Sequence, residues 1–119
     1  MAAADAPDTV WVLRDGDVLA AAEVAESFPA RVRGLLGRSG YEGALFLPHT
    51  RAVHTVGMRF AIDVAFLDGG LNVLDVVCLP PWRMTRPRLR CRGVLEAEAG
   101  AFERWSLRPG DRLELRRPS

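Results

Sequence analysis

The side chains whose types and spacing could do chemistry are few in this chain, and the most suggestive are one histidine and one aspartate. His54 and Asp63 stand at the two ends of a short glycine-containing connection, His54-Thr55-Val56-Gly57-Met58-Arg59-Phe60-Ala61-Ile62-Asp63. A pocket holding both would suit a small hydrolase or isomerase, with His54 as general base and Asp63 as its orienter. Asp63 lies between Ile62 and Val64, where an ionised carboxylate is costly unless it is paired or hydrogen-bonded. It therefore needs a partner, and loop amides or Arg59 would serve. That structural role is preferred, because buried paired carboxylates hold folds more often than they react.

The remaining candidates carry weaker chemistry. His49 and His54, five residues apart, fall on opposite sides of a strand and on different faces of a helix. With no cysteine or carboxylate at zinc-ligand spacing around them, no metal is expected. No serine sits in a nucleophile elbow, and no glycine-rich turn leads from strand to helix as a phosphate cradle needs. Acyl transfer and nucleotide chemistry lack support, and no cofactor is expected.

Trp82 and Arg83 open a second notable stretch, followed by Arg86, Arg88, Arg90 and Arg92 with no acid among them. An extended chain would project the last four arginines to one face and Pro87, Leu89 and Cys91 to the other. Such a row could bind a polyanion, with Trp82 as a stacking surface, or it could guard a sheet edge against strand addition. The overall charge favours guarding. Sixteen basic residues, all arginine as a GC-rich genome favours, against 15 acidic ones leave a formal charge of +1, too little to steer a polyanion or an anionic membrane. Nucleic acid and membrane are disfavoured, and a small molecule or protein remains as partner.

These residues must be positioned by one small scaffold. A chain of 119 residues with 49% hydrophobic content builds one core, expected over residues 9–116 between tails at 1–8 and 117–119. Residues 9–14 and 17–22 read as a hairpin about Asp15-Gly16. Ser27 suits an N-cap, and Phe28, Val32, Leu35 and Leu36 form one apolar stripe, which predicts a helix over about residues 28–38. Residues 44–47 and 52–56 read as strands. Residues 62–67 and 71–79 form a hairpin about Asp68-Gly69-Gly70, apolar on both faces as a covered central position requires. Residues 94–97 and 112–116 are further strands, with a helical turn at 101–105. The expected fold is mainly β: a small β-sandwich or partly open barrel of about seven short strands with one packed α-helix.

Taken in order, Arg33-Gly34-Leu35-Leu36-Gly37-Arg38, Ala44-Leu45-Phe46-Leu47-Pro48, the stretch from His54 to Phe66, Val94-Leu95-Glu96 with Gly100, and Pro109-Gly110-Asp111 resemble the domain-of-unknown-function 192 family over roughly residues 10–116. The matching motif residues are Met58, Asp63, Glu96, Gly100, Gly110 and Asp111. Where many members carry an aromatic residue and Trp before the Met, this chain has His54-Thr55-Val56-Gly57. The resemblance implies a small, mainly β fold with a helix and brings no reaction, substrate or cofactor.

The reading that follows is a non-enzymatic or accessory binding domain for a small ligand, with a polar pocket around His54, Met58, Arg59 and Asp63 and with Trp82 and Arg83 on its rim. The alternatives are the His54–Asp63 enzyme and polyanion binding through Arg86 to Arg92. Residues 1–8 lack a basic start and a long apolar run, so the cytoplasm is the expected location and Cys78 and Cys91 are expected to be thiols. Thiol titration of the denatured, unreduced protein should then count two; a count of zero would put them in a disulfide.

Overall fold

A computed structural model describes residues 8–25 and 43–118; the helix expected over residues 28–38 lies outside the described residues. Seven strands follow in chain order: β1 (Asp8–Arg14), β2 (Asp17–Val24), β3 (Ala44–Pro48), β4 (Ile62–Leu67), β5 (Val73–Leu79), β6 (Gly93–Glu98) and β7 (Glu114–Arg116). A single-turn helix, α1 (Ala101–Arg104), lies between β6 and β7. The strands form one open mixed sheet in the order β5-β4-β6-β3-β2-β1-β7. Every pairing is antiparallel except that of β2 with β3.

Local sequence explains the two expected hairpins. Asp15 and Gly16 adopt φ of 53° and 84°, the left-handed pair that a tight two-residue turn needs. Between β4 and β5, Asp68 Oδ1 accepts the N–H groups of Gly70 and Asn72, each at 2.9 Å, and so replaces the missing backbone partners of the loop.

The sheet is buried on both sides at its centre. In β4, Ala65 and Leu67 join one cluster with Val12, Leu95 and Phe102. Ile62, Val64 and Phe66 join the other, with Leu45, Met58 and Cys91. Period-two alternation thus sends every apolar side chain of β4 into a core. β5 differs from expectation. It stands at the end of the sheet with Leu74–Val77 half-buried and Cys78 exposed, flanked among the described residues by Phe102 and Ser106–Arg108 on one face and by Thr85–Arg88 on the other. Residues 52–56 also differ, contributing one bridge from His54 to Met84 instead of a strand.

The sheet curls until its two ends touch. Asn72 bridges Arg112 just ahead of β7, Val73 N–H donates to Asp111 O at 2.7 Å, and Leu113 N–H donates to Leu71 O at 2.9 Å. Arg14 stitches the same region from β1, reaching Asp111 Oδ2 at 3.0 Å and Trp105 O at 2.6 Å. The architecture is therefore a partly open barrel, joined at one corner.

One side chain is at odds with its surroundings. Glu96, on β6 between Leu45 of β3 and Val64 of β4, is buried and has no hydrogen bond or ion pair among the described residues. Glu23 lies one strand further along the same row, beside Leu45, and Glu98, two residues on, pairs with Arg104. Burial pushes the Glu96 carboxyl from 4.5 up to about 7. The folded state then holds this proton at pH values where the unfolded chain has released it, so the Glu96 contribution to stability is full below 4.5 and is lost as pH rises to about 7. The loss should be about 3 kcal/mol. Denaturant titrations across that range should show the decline in the wild type and a nearly flat profile in Glu96→Gln; parallel profiles would place the titration elsewhere.

Candidate functional site

Two loops at one end of the barrel, residues 53–58 and 80–85, carry four of the six candidate residues, His54, Met58, Trp82 and Arg83, and adjoin a fifth, Arg59. Their geometry is set by Thr55, which is fully buried. Its N–H donates to Arg83 O at 2.7 Å, and its carbonyl accepts from Trp82 N–H at 2.9 Å. Its hydroxyl donates to Pro80 O at 2.5 Å and accepts from Arg83 N–H at 3.0 Å. A second lock lies one step along, where Thr85 N–H donates to Val53 O at 2.8 Å and the Thr85 hydroxyl accepts from Val53 N–H at 3.0 Å. A threonine inside a loop can complete backbone bonds that no strand supplies. Thr55 carries little signal in the sequence, where it is one hydroxyl between His54 and Val56.

These locks present a set of outward side chains. Trp82 has a φ of 62° and is 63% exposed. A bulky residue in the left-handed region costs about 1 kcal/mol, so the Thr55 bonds hold the indole in a position that the chain alone would avoid. Met84 is 73% exposed and Val56 is also exposed. Arg83 and Arg59 are exposed as well. His54 is exposed, its Nδ1 accepting Val56 N–H at 3.2 Å. Met58, by contrast, is buried in the core and acts as a strut beneath the loop.

Asp63 is placed differently. Its neighbours Ile62 and Val64 share a core with Met58, so by alternation the Asp63 side chain leaves the opposite face of the sheet. There its Oδ2 accepts the N–H groups of Gly100 and Phe102, both at 3.0 Å, which satisfies the buried carboxylate and fixes the entry to α1. Loop amides are thus its partners, and Arg59 is not. Cys78 is its cross-strand neighbour. Burial pushes the Cys78 thiol up, and the adjacent Asp63 carboxylate raises it further, so a reactive thiolate is disfavoured. A cleft of about 420 Å³ opens beside this pair, lined also by Val76, Phe102, Ser106, Leu107 and Arg108, and by none of His54, Met58, Arg59, Trp82 and Arg83.

The arginine row is not a strand. Cys91 N–H turns back to Arg88 O at 3.0 Å. Arg88 folds over the Phe66 ring, 3.8 Å from its centroid, and pairs with Asp75 at 3.0 Å. Arg92 bonds the carbonyls of Leu89 and Cys91. Leu89 projects outward, 85% exposed, while Cys91 is fully buried. Pro87 within the row and the pull of Asp75 and Phe66 on Arg88 explain why the period-two pattern never forms a ladder.

Comparison with known proteins agrees with this architecture. Residues 10–115 match the model of DUF192, an uncharacterized ACR family. The chain belongs to this family. It is 39% identical over 98 residues to a UPF0127 protein of Pyrococcus furiosus, an alignment covering 78% of this chain and 84% of that protein. A UPF0127 protein of Pyrococcus horikoshii is 37% identical over 98 residues, covering 76% and 84%. A similar fold is seen in the crystal structure of a Sinorhizobium meliloti protein described as a candidate transcription regulator. That structure superposes with a TM-score of 0.78 at 23% identity, covering 92% of this chain and 94% of that one. A protein of unknown function from Novosphingobium aromaticivorans gives 0.71 at 21% identity, covering 89% and 83%.

The Asp63 geometry generates a two-part test. Asp63→Asn should destabilise the protein by about 1–3 kcal/mol in denaturant, because charge-assisted bonds to two amides are weakened. Alkylation of Cys78 at neutral pH should quicken in the same variant, since one cause of its raised pKa is gone; an unchanged rate would mean that burial alone holds the thiol protonated.

Proposed function

We propose that this chain is a non-enzymatic binding domain that holds a small anionic ligand against Trp82 and the arginines around it. The observation that carries the reading is the rigid display of Trp82, exposed and left-handed yet tied to buried Thr55 by backbone bonds on both sides. Strain held against solvent in this way is characteristic of sites that meet a ligand. The charge around it adds direction. Residues 48–62 carry Arg51 and Arg59, residues 79–95 carry Arg83, Arg86, Arg90 and Arg92 besides Arg88, whose charge Asp75 offsets, and neither stretch itself holds an acid. A local positive field of this kind, on a protein of formal charge +1, selects for a compact anion over a long one.

His54 contributes a ring nitrogen at the rim, because its Nδ1 is already engaged by Val56 and Nε2 makes no hydrogen bond among the described residues. The hydrolase or isomerase reading would need His54 and Asp63 on one substrate. The satisfied Oδ2 of Asp63 and its departure from the opposite sheet face speak against that arrangement. Polyanion binding along Arg86 to Arg92 loses its geometric basis, since two of those four arginines fold back onto the protein.

A thermal-shift series with phosphorylated sugars, nucleotides and aromatic carboxylates tests the proposal. A ligand that binds only the folded state raises the melting temperature by mass action. One class should do so in the wild type, lose the effect in Trp82→Ala and weaken with added salt. If the shift persists in Trp82→Ala, the platform is not the site; if no anion raises the midpoint at about 100 times a micromolar dissociation constant, the anionic reading is wrong.

A further inference from the structure

We infer that the outer edge of β5 from Val76 to Leu79 is a second binding site, one that takes an extended polypeptide segment as an added strand. It adjoins the Trp82 loops at Thr85 but shares none of Trp82, Arg83, His54 and Arg59 with them, and does not depend on the reading above. β5 ends the sheet, and its first residue is already paired outward. Val73 N–H donates to Asp111 O at 2.7 Å, and Val73 O accepts from Gly110 N–H at 2.8 Å. The ladder then stops. Among the described residues, no backbone bond reaches Val76, Val77, Cys78 or Leu79 from that side. The Val76 N–H turns instead to the side chain of its own neighbour Asp75, at 2.9 Å. Backbone donors and acceptors recurring along an open edge match one ligand chemistry above others, a second extended backbone.

The surroundings fit a single strand. On one face of the edge lies the cleft of about 420 Å³, where Phe102 and Leu107 stand beside Val76. On the other lies a cleft of about 340 Å³ between Val77, Leu79 and Pro87. Successive side chains of an added strand point to alternate faces, so a run of consecutive apolar residues fills both clefts. Ser106–Arg108 wall the first cleft and Thr85–Arg88 wall the second. The edge is therefore recessed between two loops, which admits one peptide and obstructs the sheet of a second copy. Arg86, on the second wall, favours an acidic residue at the end of the apolar run. The segment Gly110–Leu113 shows the mode of binding, since it already occupies the start of the same edge and runs antiparallel to it.

The test uses the full chain, labelled with nitrogen-15, and a capped peptide of sequence Glu-Val-Ile-Val-Ile-Glu. Saturable shifts should concentrate at the amides of Asp75 to Leu79. Cys78, the exposed thiol of the two, should be shielded from alkylation by the bound peptide. The same peptide N-methylated at alternate residues keeps its side chains but loses backbone donors, and should bind about tenfold more weakly or worse, as expected for two lost hydrogen bonds. Equal affinity for the methylated peptide, shifts centred on Trp82, or no saturable shift at all would each overturn the proposal. So would a dimer in sedimentation equilibrium whose dissociation exposes the same amides, because the edge would then belong to a second copy.

Discussion

A curled sheet must find a partner for every backbone group on its two edges, and the rest of this molecule follows from how incompletely that demand is met. The β5 and β7 ends meet at Asn72 and Arg112, with Val73 bonded to Gly110 and Asp111. Full closure would bury the edge groups as a barrel does. Here the ends splay apart beyond Val73, and the cleft between β5 and Ser106–Arg108 is the gap left behind. Arg14 holds that corner from the third element involved, bridging Asp111 to the carbonyls of Trp105 and Ser106. Because one guanidinium serves three acceptors there, the junction is rigid where it exists and open where it does not.

The loops at the other candidate site solve the same problem with side chains. Residues 53–58 and 80–85 are too irregular to pair as strands, so the hydroxyls of Thr55 and Thr85 supply the missing acceptors and donor. The result is a surface as fixed as a strand pair, yet free to turn Trp82, Met84 and Val56 outward. Loops held by a rigid scaffold are where binding residues concentrate. Hydroxyl bonds at these positions thus link local backbone chemistry to what the surface can recognise.

Much of the fold was legible because period-two patterns and turn chemistry agree with each other. Asp15-Gly16 and Asp68-Gly69-Gly70 mark their hairpins, and β3, β6 and β7 fall within a few residues of expectation. Two readings failed for one physical reason. Residues 52–56 form a short apolar run and residues 86–92 alternate, but a strand also requires a neighbour with matching free groups, and the sequence of one segment does not reveal that. β5 was assigned a central place from its apolar content on the same local logic. Of the site residues, Asp63 needed a partner and has one. His54, Arg59, Trp82 and Arg83 are exposed on one loop system, whereas Met58 belongs to the core. What joins the exposed set is Thr55, whose importance lies in bonds made 25 and 28 residues away and therefore leaves no local pattern.

Two buried carboxylates in the same sheet show how far such inference reaches. Asp63 and Glu96 both interrupt apolar strands, and from sequence each poses the same question of how its charge is satisfied. Asp63 sits at the end of β4, within reach of the loop before α1, where Gly100 at a φ of 95° brings two free amides toward it. Glu96 sits in the middle of β6, flanked by β3 and β4, whose amides are already committed to the ladder. A carboxylate at a strand end can recruit the unpaired donors of a turn; one at a sheet centre finds none, and takes up a proton near neutrality instead. Position relative to the ends of the ladder, more than residue type, therefore decides which acid stabilises this fold and which one burdens it.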